Sequence, residues 1–339
     1  MGGLQDNIEN IGGCNLRVSI CIVALNEERY LPGILEDVLR QTYLHDKTEI
    51  LLIDSKSTDN TKKIMIDFSI KYQDNYWQIR VLDNAGQRQA NGWNVALENY
   101  RGEAIIRIDA HAHIPIDFVE KNIECLKRGE RVCGGRRPCI AEEDTFSSRL
   151  LLSAESAMFG SGISNFRNSE KSGYVKSIFH GCYRREVFDK VGRFDERLGR
   201  TEDNDIHQRI RAAGYKIFMD KDIVSYQYVR PTLWKMFKQK FMNGYWIGKT
   251  VYINPKCLSA YYFAPLVFII MLFGSLLVST LGCVWPLMML MIAYGSVIIL
   301  STFCSVWERK DIRFIAVGLI CFMMHICYGW GTLRGLFKL

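Results

Sequence analysis

The stretch GEAIIRIDAHAHIP, residues 102–115, sets a carboxylate and two imidazoles at alternate positions. Asp109, His111 and His113 follow a mostly apolar run over residues 104–108. Alternate side chains of a strand share a face, so Asp109 and His111 are expected to point the same way where the strand runs out. Carboxylate and imidazole are both metal ligands, and open α/β sheets bind ligands beyond the carboxyl ends of their strands. A strand end with solvated polar groups is the alternative these residues leave open. A second acidic group, Thr201-Glu202-Asp203, begins TEDNDIHQRIRAAGYKI. A carboxylate there can act as a general base, and acidic residues at a helix start also cap it and complement its dipole. Asp205 and Arg209, four apart, are expected to pair along the same helix.

These residues need elements to position them. Val18–Ala24 is a β-rich run, followed by Asn26, Glu27 and apolar residues at 31, 34, 35, 38 and 39, which is helical spacing. The scheme repeats with a strand over 49–53, a polar turn, and a helix from about Thr61 with Ser57, Thr58 and Asp59 as capping candidates. WQIRVLDN predicts a third strand, GQRQANGWNVALENY a helix, and the strand ending at Asp109 comes next. Alternating strands and helices predict a doubly wound, mostly parallel sheet. No G-x-G-x-x-G or P-loop motif is present, which argues against dinucleotide or P-loop chemistry. Further on, GYVKSIFHGCYRREVFDKVGRFDERL reads as strand, short helix and loop, and Gly214 is placed to end the helix that starts at the TED motif.

Composition divides the 339-residue chain. Residues up to about 250 are mixed and charged, whereas Ser259–Leu281, Val284–Val306 and Ile312–Leu333 are apolar runs. Each is long enough to cross a hydrocarbon core of ~30 Å. The polar start, residues 1–16, lacks the apolar core of a signal peptide. Eleven cysteines without a C-x-x-C pair read as reduced thiols. The net charge is +7; six basic and two acidic residues after position 250 supply four of those charges. That placement points to anionic headgroups and away from nucleic acid. RPTLWKMFKQKFMNGYW, residues 230–246, interleaves basic and aromatic residues and reads as a membrane-interface segment. WERKDIR, after the second apolar run, fits a return to the cytoplasmic side. The third run, with its glycines and His325, either spans or lies at the interface.

SICIVALNEE, EILLIDSKSTDNT, GEAIIRIDAHA and GRFDERLGRTEDNDIHQRIRAAGYKI, in this order and spacing, resemble family 2 glycosyltransferases of the GT-A fold. DAHAHIP, FGSGISNFR, FHGCYRREVFDKVGRFDE and HICYGWGTLRG are similar to membrane-associated exopolysaccharide enzymes of the succinoglycan type. The resemblance implies that Asp109 and His111 hold Mn²⁺ or Mg²⁺ against the donor diphosphate, with His113 structural. It implies that Ala24, Asn26, Glu27, Asp54, Asn84, Arg88 and Asn94, with Asp109, bind the nucleotide-sugar. Asp54 would accept from the pyrimidine N3–H of a UDP-sugar. Asp203 would be the catalytic base, with Glu202 beside it; Gly181, Trp234 and Gln239 would meet the acceptor. A single base without a second carboxylate fits inversion.

The expected organisation is a tail at 1–16, a GT-A domain at 17–228, an interfacial segment at 229–257 and a membrane region at 258–339. The implied activity is transfer of one sugar from a UDP-sugar to a lipid-diphosphate-linked saccharide, at the cytoplasmic face of the inner membrane, in cell-surface or exopolysaccharide biosynthesis. Two alternatives stay open. One is a processive synthase, although KFMN follows Gln239 where such enzymes carry Q-x-x-R-W. The other is a non-catalytic membrane scaffold.

Overall fold

The computed structural model describes residues 16–157 and 170–337. Most of the N-terminal tail and the FGSGISNFR stretch lie outside the described residues. The chain divides into two units, and both are discontinuous in sequence. The first contains residues up to Arg137, Ser169–Glu196 and Ile206–Tyr226; the second contains Pro138–Asn168, Arg197–Asp205 and Gln227–Leu339.

The first unit is built on one mixed sheet. Its strands are β1 (Val18–Ala24), β2 (Thr48–Asp54), β3 (Gln78–Asp83), β4 (Ala104–Asp109), β6 (Val132–Arg136), β8 (Gly173–Val175), β9 (Cys182–Arg184) and β10 (Ile217–Val224). They are ordered β3-β2-β1-β4-β9-β6-β10-β8. The first four are mutually parallel, with α1 (Leu31–Leu39), α2 (Thr61–Tyr72) and α3 (Gln89–Asn99) in the connections, as the alternating pattern predicts. The far half departs from a parallel sheet. Strand β9 pairs antiparallel with both β4 and β6, and β8 pairs antiparallel with β10. Strand β2 is buried along its whole length and β1 nearly so, because helices cover both sheet faces and leave no solvent side for alternation. The core joins Ile20, Ile22, Ile50, Leu52, Ile106 and Ile108 to Leu31, Ile34 and Val38 of α1.

In the second unit a short parallel pair, β7 (Cys139–Ile140) and β11 (Gln227–Tyr228 of Tyr226–Tyr228), precedes a helical assembly. Its helices are α5 (Phe146–Ser156), α8 (Leu233–Thr250), α9 (Ala264–Thr280), α10 (Trp285–Arg309) and α11 (Ala316–Phe337). Thr145 and Thr232 cap α5 and α8 by accepting from the N–H groups of Ser148 and Lys235. Three segments, Ala260–Thr280, Trp285–Arg309 and Ile312–Phe337, are long and apolar enough to cross a membrane. Leu151, Ala154, Val229 and Met236 form a core with Val317, Ile320, Cys321 and Met324. The ten described cysteines are all free thiols, six of them buried.

Candidate active site

Register gathers the first set of candidate residues. Ala24 is paired with Asp54, Asp54 with Asp83, and Val23 with Asp109. The carboxyl ends of β1, β2, β3 and β4 therefore finish side by side, where open α/β sheets bind ligands. The loops beyond are tied by side chains. Asn26 adopts a left-handed backbone, φ 55°, a conformation that asparagine tolerates. Its Oδ1 accepts from the Thr58 N–H at 2.8 Å, and its own N–H donates to Ser57 Oγ at 3.0 Å. Asp54 is buried and accepts from the Ser57 N–H at 3.2 Å. Asp59 accepts from the Thr61 N–H at the start of α2 and from the Glu28 N–H. Asn84 is buried, donating to Ser55 Oγ and to the Arg88 carbonyl while accepting from the Gly86 N–H. Ala24, also buried, offers its carbonyl to the Ser55 N–H.

Strand β4 ends at Asp109, and the chain turns at Ala110–His111 before β5 (Ala112–His113). Strand alternation therefore does not carry past Asp109. Asp109 and His111 are held near each other by the turn and by their neighbours. Gln89 Nε2 donates to Asp109 Oδ1 at 3.1 Å, and His180 Nε2 faces Asp109 Oδ2 at 3.4 Å. Burial opposes the charge on Asp109. The imidazole of His180, then His111 and Arg137, outweigh it and hold the carboxyl far below the usual carboxylate range. Burial likewise keeps His180 below the usual imidazole value against the pull of Asp109, so its ring is neutral at pH 7. His111 Nδ1 lies 3.0 Å from Glu27 Oε1. A carboxylate accepts, so Nδ1 is the donor in this contact and Nε2 is the ring nitrogen left for another partner. His113 Nδ1 pairs with Asp37 Oδ2 at 2.6 Å, and its ring stacks on Tyr226; it fastens the strand end to α1.

Other expected residues also tie neighbouring loops together. Asn94 donates to the Phe194 carbonyl and to Glu196 Oε1 and accepts from the Phe194 N–H. Both ends of its amide hold the 194–196 loop, so Asn94 anchors that loop beside the segment expected to run over the nucleotide. Arg88 donates to the Glu196 carbonyl of the same loop. Glu27 orients His111. A Cβ on Gly181 would stand 2.7 Å from Ile178 Cδ1 and Tyr183 Oη, so that glycine answers a packing demand.

The second set stands in the other unit. Glu202 and Asp203 open α7 (Glu202–Ala212), whose residues 202–205 belong to the second unit. Glu202 is buried and Asp203 half-exposed. Asp205 is also buried, and it accepts from Asn254 Nδ2 at 2.6 Å. Arg209 donates to the carbonyls of Val191 and Arg193. Asp205 is thus an internal tie to the segment that follows α8. Trp234, at the start of α8, is 75 % exposed, and Gln239 is half-buried.

Sequence reading missed His180. It comes from the FHG stretch 71 positions beyond Asp109, has a left-handed backbone with φ 40°, and places Nδ1 2.8 Å from Ser225 Oγ. A histidine directly before a glycine was its only sequence signal. Arg137, buried and stacked 3.5 Å over Phe179, was missed too.

The donor chemistry fits a divalent cation. Asp109 is held ionised, and His111 has its second nitrogen fixed by a carboxylate, the usual arrangement behind a metal-bound imidazole. Among the described residues no three histidine, cysteine or carboxylate side chains form a ready metal cage.

Residues 19–192 match the family described as Glycosyl transferase family 2. The chain belongs to this family. It is 25 % identical over 329 residues to a dolichyl N-acetyl-α-D-glucosaminyl phosphate 3-β-D-2,3-diacetamido-2,3-dideoxy-β-D-glucuronosyltransferase of Methanococcus voltae, covering 95 % of this chain and 97 % of that one. It is 27 % identical to the succinoglycan biosynthesis protein ExoA of Rhizobium meliloti (strain 1021), covering 66 % and 67 %. The mannosyltransferase PcManGT of Pyrobaculum calidifontis, solved with GDP-Man and Mn²⁺, superposes with a TM-score of 0.60 at 16 % identity, over 91 % of this chain and 88 % of that one. The fold is GT-A.

Proposed function

We propose that this chain is an inverting, divalent-metal-dependent glycosyltransferase that moves one sugar from a UDP-sugar to a lipid-diphosphate-linked saccharide, at the cytoplasmic face of the inner membrane, in cell-surface or exopolysaccharide biosynthesis. The observation that carries this reading is Asp109, held ionised at the end of β4 beside His111 and in register with the ends of β1 and β2. Relatives named for dolichyl-phosphate-linked and succinoglycan chemistry support the acceptor class.

In this reading Asp109 and His111 hold Mn²⁺ or Mg²⁺, which when bound offsets charge on the departing diphosphate. Ala24, Asn26, Glu27, Asp54, Asn84 and Arg88 shape the nucleotide pocket, with Asp54 facing the base. His180 and Gln89 fix the Asp109 carboxylate. Asp203 takes the acceptor hydroxyl proton as that oxygen attacks the anomeric carbon, and Glu202 positions it. Gly181, Trp234 and Gln239 border the acceptor. Residues 17–228 carry the transfer chemistry, 229–257 lie at the interface, and 258–339 anchor the chain as a multi-pass segment.

The test is UDP release by the full chain in detergent or membranes, given UDP-sugars and extracted lipid-linked oligosaccharides, with and without Mn²⁺. Metal-dependent release with one sugar added per acceptor is expected. Metal-independent release would remove the role given to Asp109 and His111, long products would favour a processive synthase, and no release with any donor would favour a scaffold.

A further inference from the structure

The three apolar helices do not meet their surroundings alike. Helix α10 exposes large apolar side chains over most of its surface, among them Met288, Met289, Met291, Ile292, Ile299, Leu300 and Phe303, and turns one side, with Tyr294 and Thr302, to His325 and Gly318 of α11. Trp285 and Trp307 mark its two ends, 68 % and 73 % exposed. Twenty-two residues of helix separate them, about 33 Å at 1.5 Å per residue. That is a bilayer thickness with tryptophan at each interface. Helix α9 likewise exposes Val267, Ile270, Phe273 and Leu277.

Helix α11 exposes only one stripe, Leu319, Met323, Trp330 and Phe337, at spacings of four and seven. Its other sides are packed on protein along its whole length. Phe314, Val317, Ile320, Cys321 and Met324 join Leu151 and Ala154 of α5 and Met236 of α8. Beyond them α8 and α11 touch backbone to backbone. A Cβ on Gly244 would lie 1.9 Å from the Tyr328 carbonyl oxygen, and on Gly248 2.4 Å from that of Thr332. On Gly331 it would meet the Phe241 oxygen at 2.1 Å, and on Gly335 the Tyr245 oxygen at 2.1 Å. Contacts 241 with 331 and 245 with 335 advance together, so the helices run parallel, each with glycines four apart. Tyr252 Oη extends the contact to the Leu336 carbonyl at 2.7 Å.

Helix α8 cannot follow α11 through hydrocarbon. It carries Lys235, Lys238, Lys240 and Lys249 and no carboxylate, and it is not among the segments apolar enough to span. Charged side chains inside a bilayer are strongly disfavoured. Lys240 is buried against Glu155 of α5 at 2.8 Å, and Arg334 of α11 stacks over Phe241 of α8.

We infer that α11 does not cross the bilayer: α8 and α11 form a plate lying in the membrane interface, with the α11 apolar stripe and the exposed Leu233 and Trp234 in lipid and the exposed Lys235 and Lys238 among anionic headgroups. Only the α9–α10 hairpin spans. Residues 311–337 then stay on the side of the family 2 domain, and Trp234 and Gln239 lie at the depth of a lipid diphosphate. This rests on the membrane-anchored reading proposed above.

The test uses full-length chain in sealed, oriented membrane vesicles, labelled with a membrane-impermeant maleimide and read by peptide mass spectrometry. Native Cys283, exposed between α9 and α10, reports the hairpin tip; Ile70→Cys, on the exposed side of α2, reports the family 2 domain; Phe337→Cys reports the end of α11. The plate predicts that Ile70→Cys and Phe337→Cys label from one side and Cys283 only from the other. Labelling of Phe337→Cys from the Cys283 side would overturn it. Labelling of all three from one side, with release of the protein by carbonate wash, would overturn the anchored reading and the plate together.

Discussion

The two units place their working parts by opposite means. In the first, polar side chains do the placing: Asn26, Asp59, Asn84 and Asn94 are bonded to loop backbone, and Asp109 is bonded by Gln89 and faced by His180. In the second, glycines let helices α8 and α11 touch at their backbones, while large apolar side chains of α9 and α10 stay exposed. Hydrogen bonds have direction and fix single atoms, which donor and metal chemistry needs. Close helix packing fixes surfaces, which a lipid-borne acceptor needs. Substitutions in the first unit should therefore change turnover and metal use with the fold intact. Substitutions in the helical unit should change stability and use of lipid acceptors with UDP binding intact.

The largest expected effect falls on Asp203, which the proposed chemistry uses although it stands in the helical unit. Asp203→Asn keeps size and polarity but cannot take a proton. Transfer should fall by about 10²–10⁴-fold, with donor affinity, measured by calorimetry, nearly unchanged. Transfer at the wild-type rate would reduce the TED motif to a helix cap. Asp205→Asn is a poor control, since Asp205 is buried and bonded to Asn254; it should lower the melting temperature instead.

Gly248→Leu sharpens the comparison from the other side. A leucine there collides with the backbone at Thr332 and Leu336. Overpacking of this kind costs about 1–3 kcal/mol, read as a lower melting midpoint in detergent. UDP binding should persist and transfer to lipid acceptors should fall. Equal loss of both would mean the two units do not divide the work.

His111→Asp exchanges nitrogen for oxygen beside Asp109 and should move metal preference from Mn²⁺ toward Mg²⁺ with activity retained. An unchanged Mn²⁺-to-Mg²⁺ activity ratio would remove His111 from the metal.

The smallest effect concerns acid stability. Burial raises the Asp220 carboxyl, but the Asp222 N–H, the Arg128 guanidinium and Ser172 together hold it below its usual value. Its folded value lies below its unfolded one, so its stabilisation is present above about pH 4 and is lost as pH falls through the folded value. Asp220→Asn should flatten that part of the acid decline in urea midpoints; an unaltered decline would assign it to other carboxylates.

Much of the first unit was legible because apolar runs and capping residues act locally. Val18–Ala24 and the helix from Thr61 lie where the pattern places them. Asp109 was legible as a strand-end carboxylate, but the turn at Ala110–His111 was not, because alternation assumes the strand goes on. His180 was hidden by distance in sequence and by a backbone that local propensity disfavours. Asn94 and Asp205 have the composition of surface polar residues, and only tertiary contacts with the 194–196 loop and Asn254 bury them. The glycines at 244, 248, 331 and 335 stand four apart in the sequence, but nothing there says which helix meets which.

The central claim is that the β4-end carboxylate holds the cation on which donor binding and transfer depend. The direct measurement compares wild type with Asp109→Ala for UDP-sugar affinity by calorimetry and for UDP release, each with and without Mn²⁺. The account predicts that Mn²⁺ tightens donor binding in wild type alone and that Asp109→Ala, still folded by circular dichroism, releases no UDP. Equal Mn²⁺ enhancement and turnover in both proteins would contradict it.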